Sequence, residues 1–179
     1  MAQFKPFVPG VEVNGQTVLS VVDGLGSFRD IAFSLLKSNG IDDPKPNQWY
    51  SQAAWLKTFE VIAAKLGPKS LTLIGKKIPE NADFPPEIDS IVKALAAIDV
   101  AYHMNHRGGE IGHYSFSSTG AHTARMVCNN PYPCEFDYGI IVAMGTRFAP
   151  TDAFVKVTHD DTQPCRKNGA DSCTYLVSW

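Results

Sequence analysis

The chain has 179 residues, 44% hydrophobic and 19% charged, the balance of an ordinary globular domain long enough to bury a core without staples. A net charge of −2 and a pI near 6.2 supply no basic field for nucleic acid or an acidic membrane. No run is long and apolar enough to span a bilayer, and MAQFKPFVPG lacks the basic-then-apolar order of a signal peptide, so the cytoplasm, with reduced thiols, is the expected compartment.

In chain order, Val11 and Val13 precede Asn14-Gly15 and a second apolar segment at 17–22, a pattern that predicts a hairpin. Ser27 with Asp30 resembles a capping box, opening a helix whose inner face carries Phe28, Ile31, Leu35 and Leu36 and which Asn39-Gly40 closes. Residues 41–50 read as loop. A helix over 51–66 follows, with Trp55, Phe59, Ile62 and Leu66 on one stripe and Gly67-Pro68 at its end. Residues 70–77 suit a shorter helix. Pro86 suits the first turn of another that reaches His106, with Ile88, Ile91, Leu95, Ile98 and Tyr102 inward.

After Arg107-Gly108-Gly109 the hydrophobic period changes from helical to two. Strands are predicted over 110–117 and 122–128, joined by a turn at 118–121. A helix over 134–148 comes next, then strands over 153–159 and 173–179. No repeat or linker divides the chain. The expected fold is one α+β domain over 1–179: 1–109 mainly helical with an N-terminal hairpin, and 110–179 a sheet-rich half with one inserted helix.

The four cysteines fall in two pairs, CNNPYPC (Cys128, Cys134) and CRKNGADSC (Cys165, Cys173). Neither has the tight C-x-x-C spacing of a zinc ribbon or a redox centre. All four lie at predicted element ends, where one end of a sheet would gather them. Cys134 opens a helix, whose free N–H groups favour a thiolate. A structural metal and inert core thiols both fit this pattern, and a disulfide fits the compartment poorly.

Helix-opening Cys134 with Gly139, then HDDTQPC, then Cys165, Gly169 and Cys173 feeding Thr174-Tyr175-Leu176-Val177 resemble the C-terminal part of the 4-vinyl-reductase domain family. That family includes a bacteriochlorophyll-biosynthesis protein and the sensor domains of phenol-responsive transcription activators. The resemblance covers about residues 110–179. It implies a zinc held by Cys134, Cys165 and Cys173, with an acidic residue near Asp160 or Asp161 as the fourth ligand. His159 is also within reach. Cys128 competes with Asp161 for the fourth place, because four thiolates make a common closed zinc site. The resemblance further implies a fold shared with haem-based nitric-oxide sensor domains and Golgi tethering subunits, in which helices pack on an antiparallel sheet of about four or five strands and enclose a ligand cavity.

A second group is DVAYHMNHRGGEIGHY. Asp99, His103 and His106 are spaced to share one face of the predicted helix, and Glu110 and His113 stand nearby. Solvated histidines at a helix end, contacts to a ligand, and a metal or haem site are all compatible with that spacing. His103, His106 and His113 are the candidate cofactor contacts. Trp55, Tyr102, Tyr114 and Phe116 are candidate lining of a ligand pocket. No P-loop, nucleophile elbow or dinucleotide fingerprint is present.

The leading expectation is a cytoplasmic sensor-type domain that binds a small hydrophobic or aromatic molecule, carries structural zinc, forms a homodimer and signals through a downstream protein. One rival is a tetrapyrrole- or haem-binding protein or enzyme that uses the His103/His106 region. The other is an assembly module with a filled core.

Overall fold

The computed structural model describes residues 3–179. The chain is an α+β protein, with six α-helices and seven strands among the described residues. The strands form two antiparallel sheets, one of three strands and one of four.

Asn14-Gly15 opens a helix and makes no hairpin. Asn14 Oδ1 accepts a hydrogen bond from the Thr17 N–H at 2.9 Å and caps α1 (Gly15–Leu25). Val18, Val21, Val22 and Leu25 then repeat at helical spacing and are buried. Gly15 is required for close approach: a Cβ there would lie 1.9 Å from the Lys45 carbonyl oxygen. The strand before it, β1 (Glu12–Asn14), pairs instead with β2 (Trp49–Ser51) and with β3 (His106–Arg107).

The next helix, α2 (Arg29–Ser38), follows a 3-10 turn at Gly26–Phe28, and no side chain caps either. Its buried residues are Ala32, Leu35 and Leu36, while Phe28 and Ile31 stay 56% and 42% exposed. The predicted stripe is therefore rotated at its N-terminal end. In contrast, α3 (Gln52–Leu66) starts one residue later than expected, with Ser51 as its cap, and Trp55, Phe59 and Ile62 of the expected stripe are buried while Leu66 is half-buried. Next, α4 (Lys69–Asn81) outruns its predicted end and contains Pro79.

Residues 86–90 are not helical. The next helix, α5 (Ile91–Met104), begins at its own cap, Ser90, and ends before His106. His106 sits in β3, so Asp99, His103 and His106 do not share a helix face.

The larger sheet contains β4 (His113–Gly120), β5 (Thr123–Asn129), β6 (Lys156–His159) and β7 (Cys173–Ser178), in the order β4-β5-β7-β6. β4 and β6 both start later than predicted. The inserted helix α6 (Cys134–Phe148) matches its predicted range. It packs against α4 at backbone distance. A Cβ on Gly139 would lie 2.3 Å from the Thr72 carbonyl oxygen, and one on Gly75 would lie 2.2 Å from that of Phe136. This glycine contact seats the N-terminus of α6, and so Cys134, beside the ends of β6 and β7. No helix among the described residues is long and apolar enough to cross a membrane.

Candidate functional site

Three cysteines meet where α6 and β7 begin. Cys134 is the first residue of α6 and Cys173 the first of β7. Cys165 precedes a 3-10 turn, Arg166–Asn168, which Gly169 ends with φ +85°, a conformation glycine adopts without strain. The sulfur of Cys134 lies 3.0 Å from that of Cys173, and Cys165 lies 3.6 Å from each. His159, the last residue of β6, joins them: one ligand atom from each of the four residues falls within 4.8 Å of all the others.

The environment of this group suits a cation. His159 Nδ1 is held by Asp161 Oδ1 at 2.8 Å, while its Nε2 is buried with no hydrogen-bond partner. A carboxylate on one imidazole nitrogen and an unclaimed second nitrogen among thiols is how metal-binding histidines are oriented. The backbone N–H and Nε–H of Arg166 donate to Cys173 Sγ at 3.4 and 3.3 Å, and Gln3 Nε2 donates to Cys134 Sγ at 2.8 Å. The Cys173 thiol is held well below its ordinary value, first by the hydrogen bond with Cys134 and then by the Arg166 guanidinium. Three sulfurs and one imidazole form a donor set for a closed tetrahedral zinc site.

Cys128 lies outside the group. It is fully buried and pairs with Cys173 across β5 and β7, and burial pushes its thiol up. Asp161 reaches the group only through His159, and Asp160 accepts from Thr162 in its own turn. The sequence signal for His159 is its place at a strand end shortly before Cys165.

A buried polar network leads inward from the cysteines. Arg166 forms an ion pair with Asp137 on α6 and donates to Asn130. Asp137 Oδ1 also accepts from the Tyr114 hydroxyl at 2.6 Å. Tyr114, in turn, lines a cavity of ≈ 30 Å³ between the helices and the sheet. That volume has room for about two waters.

Trp55, Tyr102 and Tyr114, all expected pocket residues, border this cavity, and so does His106. Phe116 is half-buried and outside it. The Nδ1–H of His106 donates to the Tyr102 carbonyl at 2.7 Å, and its Nε2 accepts from the Tyr132 hydroxyl at 2.6 Å. Tyr132 accepts in turn from Gln52 Nε2 at 3.2 Å. Burial lowers the His106 pKa to about 4, so the ring is neutral. Beside this relay, the Trp55 indole N–H and Gln52 Oε1 are buried without partners. His103 and His113 lie on the outer surface with Asp99, away from the cavity. Tyr132 and Phe136 are pocket residues that pattern reading misses. Their signal is the aromatic content of CNNPYPCEF next to the cysteines.

The chain resembles solved structures of H-NOX proteins. One from S. oneidensis in the Fe(II)NO ligation state has a TM-score of 0.69 at 14% identity, over 92% of this chain and 98% of that one. A mutant of T. tengcongensis H-NOX has a TM-score of 0.64 at 16% identity, over 92% and 96%. A protein used to modulate haem redox potential through porphyrin distortion has a TM-score of 0.66 at 15% identity, over 93% and 94%. At these identities the likeness shows the fold, which is the haem-sensor fold group that the sequence resemblance implies. No protein-family model matches the chain, and no curated protein matches it.

Proposed function

We propose that this chain is a single sensor-type domain, related to 4-vinyl-reductase domains, that takes a small aromatic or hydroxylated molecule between its helices and its sheet. The observation that carries the reading is a cavity lined by Trp55 and by the Tyr132–His106 pair, with the Trp55 N–H buried and without a partner. A buried donor left unpaired costs about 1–3 kcal/mol, and an entering hydroxyl would remove that cost. The cavity is small, so a phenol-sized ligand requires neighbouring aromatic side chains to move. The reading assigns no catalytic residue.

A structural zinc on Cys134, His159, Cys165 and Cys173 belongs to the same proposal. It would tie α6 to β7 and the end of β6, with no position left open for reacting water. Thiolate ligation requires reduced cysteines, in keeping with the cytoplasm. Exposed Phe28 and Ile31 at the start of α2 are the apolar surface on which we place a homodimer. A downstream protein would receive the signal.

A second reading puts haem in the cavity, supported by the haem and iron states named for the fold neighbours and by His106 at the cavity wall. The residues as placed would have to rearrange for it. The cavity of ≈ 30 Å³ would have to open further than for a phenol-sized molecule, and His106, both of whose nitrogens are hydrogen-bonded, would have to give up one of those bonds to reach an iron.

Native mass spectrometry of the chain purified from its own host tests all of this at once. One zinc, a small organic ligand and a dimer are expected. A bound haem mass, with a Soret band in the absorption spectrum of the same sample, would replace the first reading with the second. Neither metal nor ligand would leave an assembly module.

A further inference from the structure

Away from the cavity and the cysteines, the last turn of α5 meets the first residues of β4 through three ionisable side chains. We propose that Asp99, His103 and His113 form a second, solvent-exposed metal site for a borderline divalent cation such as Cu²⁺, Ni²⁺ or Co²⁺. One ligand atom from each lies within 4.8 Å of the other two. Donors bound at about 2.0–2.1 Å in a tetrahedron are about 3.3 Å apart, so exposed side chains close the difference by small rotations.

The group is pre-positioned on two elements. Asp99 Oδ1 accepts the Tyr114 backbone N–H at 2.7 Å, which fixes the carboxylate over β4. His103 Nδ1 bonds to the Asp99 carbonyl oxygen at 2.8 Å, which leaves its Nε2 for an ion. The His113 ring lies 5.0 Å from the His103 ring at an interplanar angle of 32°. Its Nδ1 is 3.5 Å from Asp99 Oδ1. One divalent cation would satisfy both imidazoles and the carboxylate together. Two histidines and a carboxylate with open positions are a nitrogen–oxygen donor set suited to exchangeable transition metals, unlike the sulfur-rich set at Cys134. The side chains are 33–61% exposed, so water completes the coordination.

A bound ion would pin the end of α5 to β4. Tyr102 and Tyr114, chain neighbours of His103 and His113, line the cavity, so the clamp acts on two walls of the pocket. The site stands without the sensor reading.

The test adds Co²⁺ to the full, zinc-loaded chain and follows binding by calorimetry and absorption. One equivalent is expected, without thiolate-to-cobalt charge transfer. Affinity should fall about tenfold or more in His103→Ala and, separately, in His113→Ala. His122→Ala, at another exposed histidine, should bind like wild type. Circular dichroism checks that the variants are folded, as expected for exposed positions. The proposal is overturned if wild type takes up no cobalt, if uptake occurs only with thiolate charge transfer, or if both variants bind as tightly as wild type.

Discussion

Arg166 and Asp137 form an ion pair with only 1% and 0% of their side chains exposed. Arg166 also touches Cys173, and Asp137 also holds Tyr114 at the cavity wall, so the pair joins the two candidate sites. Removing one partner strands a buried charge. Arg166→Met and Asp137→Asn should each cost about 3–5 kcal/mol in urea denaturation. The double variant should lose clearly less than the sum of the two, because the second change removes a charge already stranded. Additive losses would mean that the pair is not coupled.

Zinc should be stoichiometric, and removing it should unfasten β7 from α6. Cys165→Ser is expected to retain less than half an equivalent of metal by elemental analysis and to melt well below wild type. A chelator should lower the wild-type Tm toward that of the variant. Cys128→Ser should keep its zinc, since Cys128 lies outside the group. Metal loss there would restore Cys128 as the fourth ligand.

Trp55→Phe separates ligand recognition from packing. It keeps an aromatic ring beside Phe59 and Tyr132 and removes an N–H that has no partner. The lost ring volume should cost about 1–3 kcal/mol, leaving the chain folded. A hydroxylated aromatic that raises the wild-type Tm should bind the variant about tenfold more weakly or worse. Equal affinity in the two proteins would remove Trp55 from the site.

His106 predicts a pH dependence. Its folded pKa of about 4 lies below the ordinary 6.5, so between these values the unfolded chain binds more protons. The associated stability is fully present above pH 6.5 and is lost as pH falls toward 4, amounting to on the order of 3 kcal/mol. Replacing the ring with His106→Gln should flatten the wild-type stability profile in that window, read by urea midpoints across pH. An unchanged slope would place the titration elsewhere.

Gly139→Ala tests the seating of α6. Its new methyl would meet the Thr72 carbonyl oxygen at 2.3 Å, against backbone that cannot rotate away. A loss of about 1–3 kcal/mol is expected, together with weaker zinc retention, because the same contact positions Cys134.

Much of the fold is legible in consecutive residues. Ser51 and the stripe Trp55, Phe59 and Ile62 mark α3, and α6 is readable from Cys134 to Phe148. In α3 cap chemistry and a 3.6-residue period agree within one segment, whereas α6 starts after Pro133 with no side-chain cap. Element ends gather all four cysteines, Cys128 included; the resemblance names the three, Cys134, Cys165 and Cys173, that come together.

Other features depend on partners far along the chain. Asn14-Gly15 suits a hairpin turn and a helix start equally well. The Lys45 carbonyl against Gly15, and the pairing of β1 with β2 and β3, select the helix. His103 and His106 are equivalent by spacing. The end of α5 at Met104 sends one outward and turns the other into the core beside Tyr132. Asp161 and Cys128 are both plausible fourth ligands by spacing, yet the end of β6 presents His159 to the cysteines and uses Asp161 to orient it. Local periodicity reports which face of an element is apolar. Which polar group meets another depends on distances closed only when helices and sheets pack, and those distances separate a buried relay, a cysteine–histidine cluster and a surface group built from the same residue types.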